Sequence, residues 1–286
     1  MYAAPRARLD VVIAAVLFST GGAGIKATSL SGFEVAGLRS AIAALVLLAF
    51  LPSARRGFGW RAVPPAFAYA ATLFLFVTGN KLTTAAATIF LQSTAPLWIL
   101  LLAPLLLRER ATRSDVMAMV PVAAGLALVF LGTGAPGRTA PDPFRGNVVA
   151  TLSGVAWALT LMGFRRMGMG GSGSPMGAVV LGNAIVFLGC LPFMRLPDGI
   201  PGRDWLALGY LGAFQVALAY VFLTAAVRVL PALETALLVL VEPALNPVWA
   251  WILHGERPTL LATAGGALIL GATAAKSWLD ARTARA

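Results

Sequence analysis

"LPALETALLVLVEPALNPVWAWILHGER", Leu230 to Arg257, is almost wholly apolar, yet it places a glutamate beside one proline (Glu242-Pro243) and an asparagine beside another (Asn246-Pro247). An ordinary core helix avoids all four. Slid back by 147 residues, the stretch lies over "TTAAATIFLQSTAPLWILLLAPLLLRER", Thr83 to Arg110. At that one offset Ala232 meets Ala85, Pro243 meets Pro96, and Glu256-Arg257 meets Glu109-Arg110, with Arg228 over Lys81 just ahead. Fixed-offset self-similarity of this kind marks an internal repeat. What the repeat builds depends on the solvent it sits in.

That solvent is lipid. Of 286 residues, 59% are hydrophobic and 12% charged, against about 25% charged in soluble domains. Ten apolar stretches of near-spanning length recur, roughly 9–28, 33–52, 62–80, 85–106, 115–131, 147–164, 175–194, 204–225, 231–253 and 259–278. "GTGAPGRTAPDPFRG", Gly132 to Gly146, reads as a linker between two sets of five. At a slightly shorter offset Lys26 meets Arg165 and Phe18-Ser19 meets Trp157-Ala158, so the first span has a partner in the sixth and does not read as a cleaved leader. Five is odd, so the second set must enter the membrane from the opposite side. The expectation is an all-α polytopic membrane protein of ten transmembrane helices, built as two inverted five-helix repeats over residues 1–140 and 141–286, an architecture typical of transporters.

Net charge is +11, but the cations sit in short loops, which points to orientation and not to nucleic acid. Loops on the N-terminal side carry fourteen Lys and Arg and loops on the other side seven, with Arg39 inside a span. The positive-inside rule then puts both termini in the cytoplasm. A single cysteine, Cys190, excludes an intrachain disulfide.

Two five-span halves, each with a proline in its fourth span and an "ER" pair before its fifth, resemble the EamA family of the drug/metabolite transporter superfamily. "LLLRERAT" and "WILHGERPT" are similar to its repeated signature, and Arg39 early in span two fits as well. Among the ten-span members, YddG-type exporters of aromatic amino acids are the first comparison. The resemblance implies a central cavity formed chiefly by spans 1, 3, 4, 6, 8 and 9. It also implies a bacterial inner-membrane location and outward transport of small organic solutes, amino acids in the first place. Nucleotide sugars, sugar phosphates and drugs are the alternative cargo, and a non-transporting scaffold the alternative class.

Glu242 near the middle of span nine costs on the order of 3 kcal/mol on insertion scales and must face the bundle interior or water. Asn246 lies four residues on and shares its helix face. Pro243 removes a donor and disfavours helical geometry at Glu242, so a kinked helix with an inward polar stripe is expected. Glu242 reads equally as a contact for a substrate amine or proton, or as a packing glutamate held by neighbouring helices. Span four offers Gln92 ahead of Pro96. Pro96 and Pro243 are the candidate hinges or gates. Phe18, Ser19, Asn80, Trp98, Trp157 and Tyr220 complete the candidate binding set, the mid-span aromatics as flat walls with a polar handle. Trp60, Trp205 and Trp278 lie near span ends and read as interface anchors. Arg39 reads as structural, snorkelling or holding a neighbour's carbonyls.

Other signals are weak. "GGSG", Gly170 to Gly173, matches the G-x-S-G of an intramembrane protease, but the only histidine, His254, ends a span on the opposite face. "GGAGIKAT" lacks the G-K-[ST] of a phosphate loop. The expected partners are a small-molecule substrate and membrane lipid, without nucleic acid, metal or cofactor, and a monomer suffices.

Overall fold

The computed structural model describes residues 4–55, 58–106, 113–169, 175–197, 199–226 and 238–283. The Glu109-Arg110 and Arg228-Ala232 parts of the repeat, the start of span nine and the Gly170 to Gly173 motif lie outside the described residues. Helices run in the order α1 (Ala4–Ser19), α2 (Gly21–Ala27), α3 (Gly32–Phe50), α4 (Val63–Leu82), α5 (Ala85–Gln92), α6 (Ala95–Leu106), α7 (Arg113–Leu131), α8 (Pro143–Met169), α9 (Pro175–Cys190) and α10 (Gly202–Tyr210). A π-helical stretch, Leu211–Leu218, leads into α11 (Ala219–Ala226), followed by α12 (Val241–His254) and α13 (Leu260–Thr283). Among the described residues the only β-pairing is an isolated bridge between Gly137 and Ala140.

Among the described residues six segments are long and apolar enough to cross a membrane: Pro5–Ala27, Gly32–Phe50, Trp60–Leu82, Pro143–Phe164, Pro175–Phe193 and Gly202–Ala226. Ala85–Ile99, Met119–Leu131 and Leu260–Lys276 are shorter apolar helices. The burial pattern is that of a protein in lipid. Phe50, Leu105, Met117, Leu206 and Leu253 are exposed, while Asn80, Thr88, Ser153, Asn183 and Asn246 are fully buried. Polar groups turn inward because the surrounding solvent cannot hydrogen-bond them.

The principal packing pairs are α4 with α8, α7 with α13, α3 with α9, α4 with α9 and α1 with α11. The α7–α13 contact is a backbone crossing. A Cβ on Gly125 would lie 2.6 Å from the Gly265 carbonyl, and one on Gly265 2.5 Å from the Gly125 carbonyl. Only glycine permits that approach.

Both proline-bearing segments break, and both break at the position the ring dictates. A proline clashes with the carbonyl four residues back and cannot donate to it. For Pro96 that residue is Gln92, where α5 ends; for Pro243 it is Val239, after which Leu240 forms a turn. Each proline then sits in the first turn of the following helix, where no backbone donor is required. The expected loss of helical geometry at Glu242 is therefore corrected. Glu242 lies in the first turn of α12, and the break is taken two residues earlier, at Leu240.

Candidate functional site

The end of α1 meets α11 and α12 in an aromatic and polar centre. Phe18 packs edge-on against Tyr220, ring centroids 5.1 Å apart, and Tyr220 against Tyr69 at 5.3 Å. Ser19, fully buried, donates to the Val16 carbonyl at 2.7 Å and accepts from Trp249 Nε1 at 2.9 Å. Glu242 is half-buried and has no hydrogen bond or ion pair to another described residue; it lies within electrostatic range of Tyr220. Arg39 enters the same neighbourhood. It is 1% exposed and donates to the Leu73 carbonyl at 3.2 Å and to Gln215 Oε1 at 3.3 Å. It holds a neighbour's carbonyl, as expected, but it does not snorkel, and its charge reaches both Tyr69 and Tyr220.

At the start of α2, Asn80 and Asn246 converge on Gly22. A Cβ at Gly22 would lie 2.7 Å from Asn246 Oδ1, 2.9 Å from the Ala85 Cβ and 3.0 Å from Asn80 Oδ1. Asn80 donates to the Phe76 carbonyl at 2.9 Å, but among the described residues its Oδ1 has no partner, and both amide atoms of Asn246 lack one. Three unpaired polar atoms thus meet where α2, α4, α5 and α12 cross. Each costs about 1–3 kcal/mol when buried unpaired.

A second group lies on α5, α6 and α8. Gln92 donates to Ser153 Oγ at 2.7 Å, and Trp98 donates to Thr94 Oγ1 at 3.1 Å. Trp157 is half-buried and makes no hydrogen bond to a described residue. Among the described residues, no hydrogen bond or ring contact ties Gln92, Trp98 or Trp157 to the Phe18–Tyr220 centre.

The face on which α2 ends, opposite the start of α1, is closed by a polar layer. Lys26 pairs with Glu256 at 3.2 Å, each side chain 3% exposed, and donates to the carbonyls of Thr83 and Thr139. The other Glu256 oxygen accepts from the backbone of Ala85, first residue of α5, at 2.8 Å, where the positive end of the helix favours a carboxylate. Gly255, at φ +66, ends α12 in the left-handed region and turns Glu256 back toward that helix start. Ser29 donates to Asp204 through its amide at 3.0 Å and its hydroxyl at 2.5 Å, Glu34 accepts from the Arg195 amide at 2.7 Å, and His254 Nε2 lies 2.8 Å from the Ala23 carbonyl.

Sequence reasoning missed Tyr69, Gln215, Trp249 and this layer. Trp249 was within reach: it continues the face of Glu242 and Asn246 one turn further. The Lys26–Glu256 pair spans 230 residues of sequence, and no local pattern joins its ends.

Such a chain is a polytopic helical membrane protein with its polar groups turned inward and one face closed by a polar layer. The sequence profile of the EamA-like transporter family matches residues 8–131 and 144–277. The chain belongs to that family, which makes it a multi-pass membrane transporter of small molecules and not an enzyme. A solved structure described only as "Crystal structure of protein" is 23% identical over 97% of this chain and 98% of that one, with a TM-score of 0.65, a likeness of fold. No curated protein matches.

Proposed function

We propose that this chain exports small organic solutes across the bacterial inner membrane, with amino acids, aromatic ones included, as the favoured class. Ten spans in two inverted halves, with both termini in the cytoplasm, form the frame. The two matched segments support that division. So does the packing: α1 with α11 and α4 with α8 are the pairs that exchange when the halves exchange. Transport proceeds by alternating access, one half rocking against the other about the breaks ahead of Pro96 and Pro243.

The observation that carries this reading is the set of polar groups without a partner among the described residues at the crossing of the two halves: both amide atoms of Asn246 and Asn80 Oδ1, with the half-buried Glu242 one turn from Asn246. A scaffold gains nothing from orphaned polar groups in an apolar interior. A solute pathway needs them. Phe18, Tyr220 and Ser19 supply the apolar wall and hydroxyls beside them, and Gln92, Trp98 and Trp157 a second wall. Arg39 beside the tyrosines favours sugar phosphates as the second cargo class, since a fixed cation suits a phosphate.

The test is uptake of labelled amino acids into liposomes holding the purified protein, with and without a proton gradient, for wild type and Glu242→Gln. One class of amino acid should enter with wild type. It should fall about tenfold or more in the variant, the factor given by ~1.4 kcal/mol of lost interaction. Equal uptake by both returns Glu242 to a packing role. Uptake of sugar phosphates alone moves the cargo to the second class.

A further inference from the structure

On the latched face a cleft of about 590 Å³ opens between the ends of α2, α4 and α12 and the start of α10. The volume suits a small organic solute. Its lining includes Lys26, Lys81, Arg138, Arg203, His254 and Asn80, and no carboxylate residue. Two of the four cations are already paired, Lys26 with Glu256 at 3.2 Å and Arg203 with Asp204 at 3.6 Å. The other two have no ion pair with a described residue.

Lys81 is the telling one. It stands half-buried at the end of α4 and donates to the Thr28 carbonyl at 2.8 Å and the Thr28 hydroxyl at 2.9 Å, which leaves one of its three ammonium protons over. Lys26 nearby repels it. The carboxylates that reach it at longer range are Asp204 and Glu34. Glu34 accepts from the amides of Ser31 and Arg195, and Asp204 accepts twice from Ser29 through Oδ2 while its Oδ1 faces Arg203 at 3.6 Å. A half-buried ammonium with neutral acceptors only, in the wall of an open cleft, is an incomplete ion pair. Arg138 stands exposed at the rim of the same cleft and adds a second uncompensated charge.

We infer that this cleft is an anion-binding vestibule in which Lys81, backed by Arg138, takes the carboxylate of the solute at the far mouth of the pathway. The inference rests on the exporter reading and deepens it, because it names the solute group that the mouth recognises. The headgroup phosphate of an anionic lipid shares the chemistry, and the test separates the two sources.

The full chain, purified in a neutral detergent, is titrated calorimetrically with L-phenylalanine, with phenethylamine, which is the same molecule without its carboxylate, and with short-chain phosphatidylglycerol. Variants are Lys81→Gln and, at the exposed rim where folding is not at stake, Arg138→Gln. Phenylalanine should bind about tenfold or more tightly than phenethylamine. Lys81→Gln should erase that preference and leave phenethylamine unchanged, and Arg138→Gln should weaken phenylalanine severalfold. Equal binding of the two molecules by wild type overturns the inference, as does an unaltered preference in both variants. If Lys81→Gln fails to fold, Arg138→Gln decides. Tight phosphatidylglycerol binding that displaces phenylalanine assigns the cleft to lipid and overturns the solute assignment. If no amino acid binds or moves in liposomes, the exporter reading has failed by itself, and inorganic phosphate is the probe. Phosphate binding lost in Lys81→Gln then keeps the anion site, and no phosphate binding ends it.

Discussion

Asn246 is fully buried, and neither amide atom finds a partner among the described residues, while Asn80 leaves its own oxygen unpaired among them across Gly22. A residue kept for packing would do better as leucine, which is close in size and carries no polar group to desolvate. Replacing a buried unsatisfied amide by an apolar group of similar shape is neutral or stabilising, whereas removing one partner of a made bond costs stability. Asn246→Leu should therefore raise the thermal midpoint in detergent, by the equivalent of about 1 kcal/mol, while uptake in liposomes falls. A lower midpoint with unchanged uptake would make Asn246 a structural residue whose bonds go to groups outside the described segments. Much of this was legible at the residue scale. Glu242 and Asn246 stand out because four residues put them on one face and because lipid tolerates neither. Lys81 was not legible as a site, because a lysine at a span end is what any loop of a membrane protein offers. Its meaning comes from which carboxylates nearby are already taken, and that is a fact of three dimensions.

At the scale of elements, proline supplied the clearest signal and its consequence was displaced by a few residues. The breaks fall at the residues whose carbonyls the rings of Pro96 and Pro243 would strike, not at the prolines themselves. The same logic of local geometry fixes the end of α12. Gly255 adopts φ +66, its amide lies 2.9 Å from the Trp251 carbonyl, and the Glu256 amide reaches back to Ala250 at 3.3 Å. That closure aims Glu256 at Lys26 and at the first amide of α5. A side chain with a Cβ pays about 1–2 kcal/mol in the left-handed region, while asparagine visits it readily. Gly255→Ala should lower stability by about that amount, read as a fall in the thermal midpoint, and Gly255→Asn should recover most of it. Equal loss in both variants would mean that space, not backbone conformation, limits the position; the open surroundings of Gly255 argue against that. That the glycine in "HGER" turns the Glu256 carboxylate back toward Lys26 is a fact of the fold, with no local pattern in the sequence to carry it.

Across the whole molecule, one face is tied between the two matched segments by Lys26 with Glu256, Ser29 with Asp204, Glu34 with the Arg195 amide, and His254 with Ala23. A path opening at that face releases these ties, and the buried ion pair is the one that leaves a charge stranded when a single partner is removed. Removing one partner of such a pair costs about 3–5 kcal/mol because the other charge stays buried. Glu256→Gln strands Lys26 in this way. It keeps an acceptor for the Ala85 amide, so the start of α5 survives while the latch does not. Hydration of Lys26 then becomes the cheapest remedy, and the face should open more often. Ala23 lies under the latch and is 1% exposed, whereas Ala27 is exposed beside it. With Cys190 changed to alanine, a cysteine at Ala23 should react with a membrane-impermeant maleimide about tenfold faster in Glu256→Gln than in the parent. A cysteine at Ala27 should react alike in both. Tenfold corresponds to ~1.4 kcal/mol in the opening equilibrium, well within what the broken pair supplies. Done on intact cells, the same labelling tests the proposed orientation, because the Ala27 cysteine reacts from outside only if the latched face looks away from the cytoplasm. Equal rates at Ala23 in parent and variant would show that the ion pair packs this face without holding it shut.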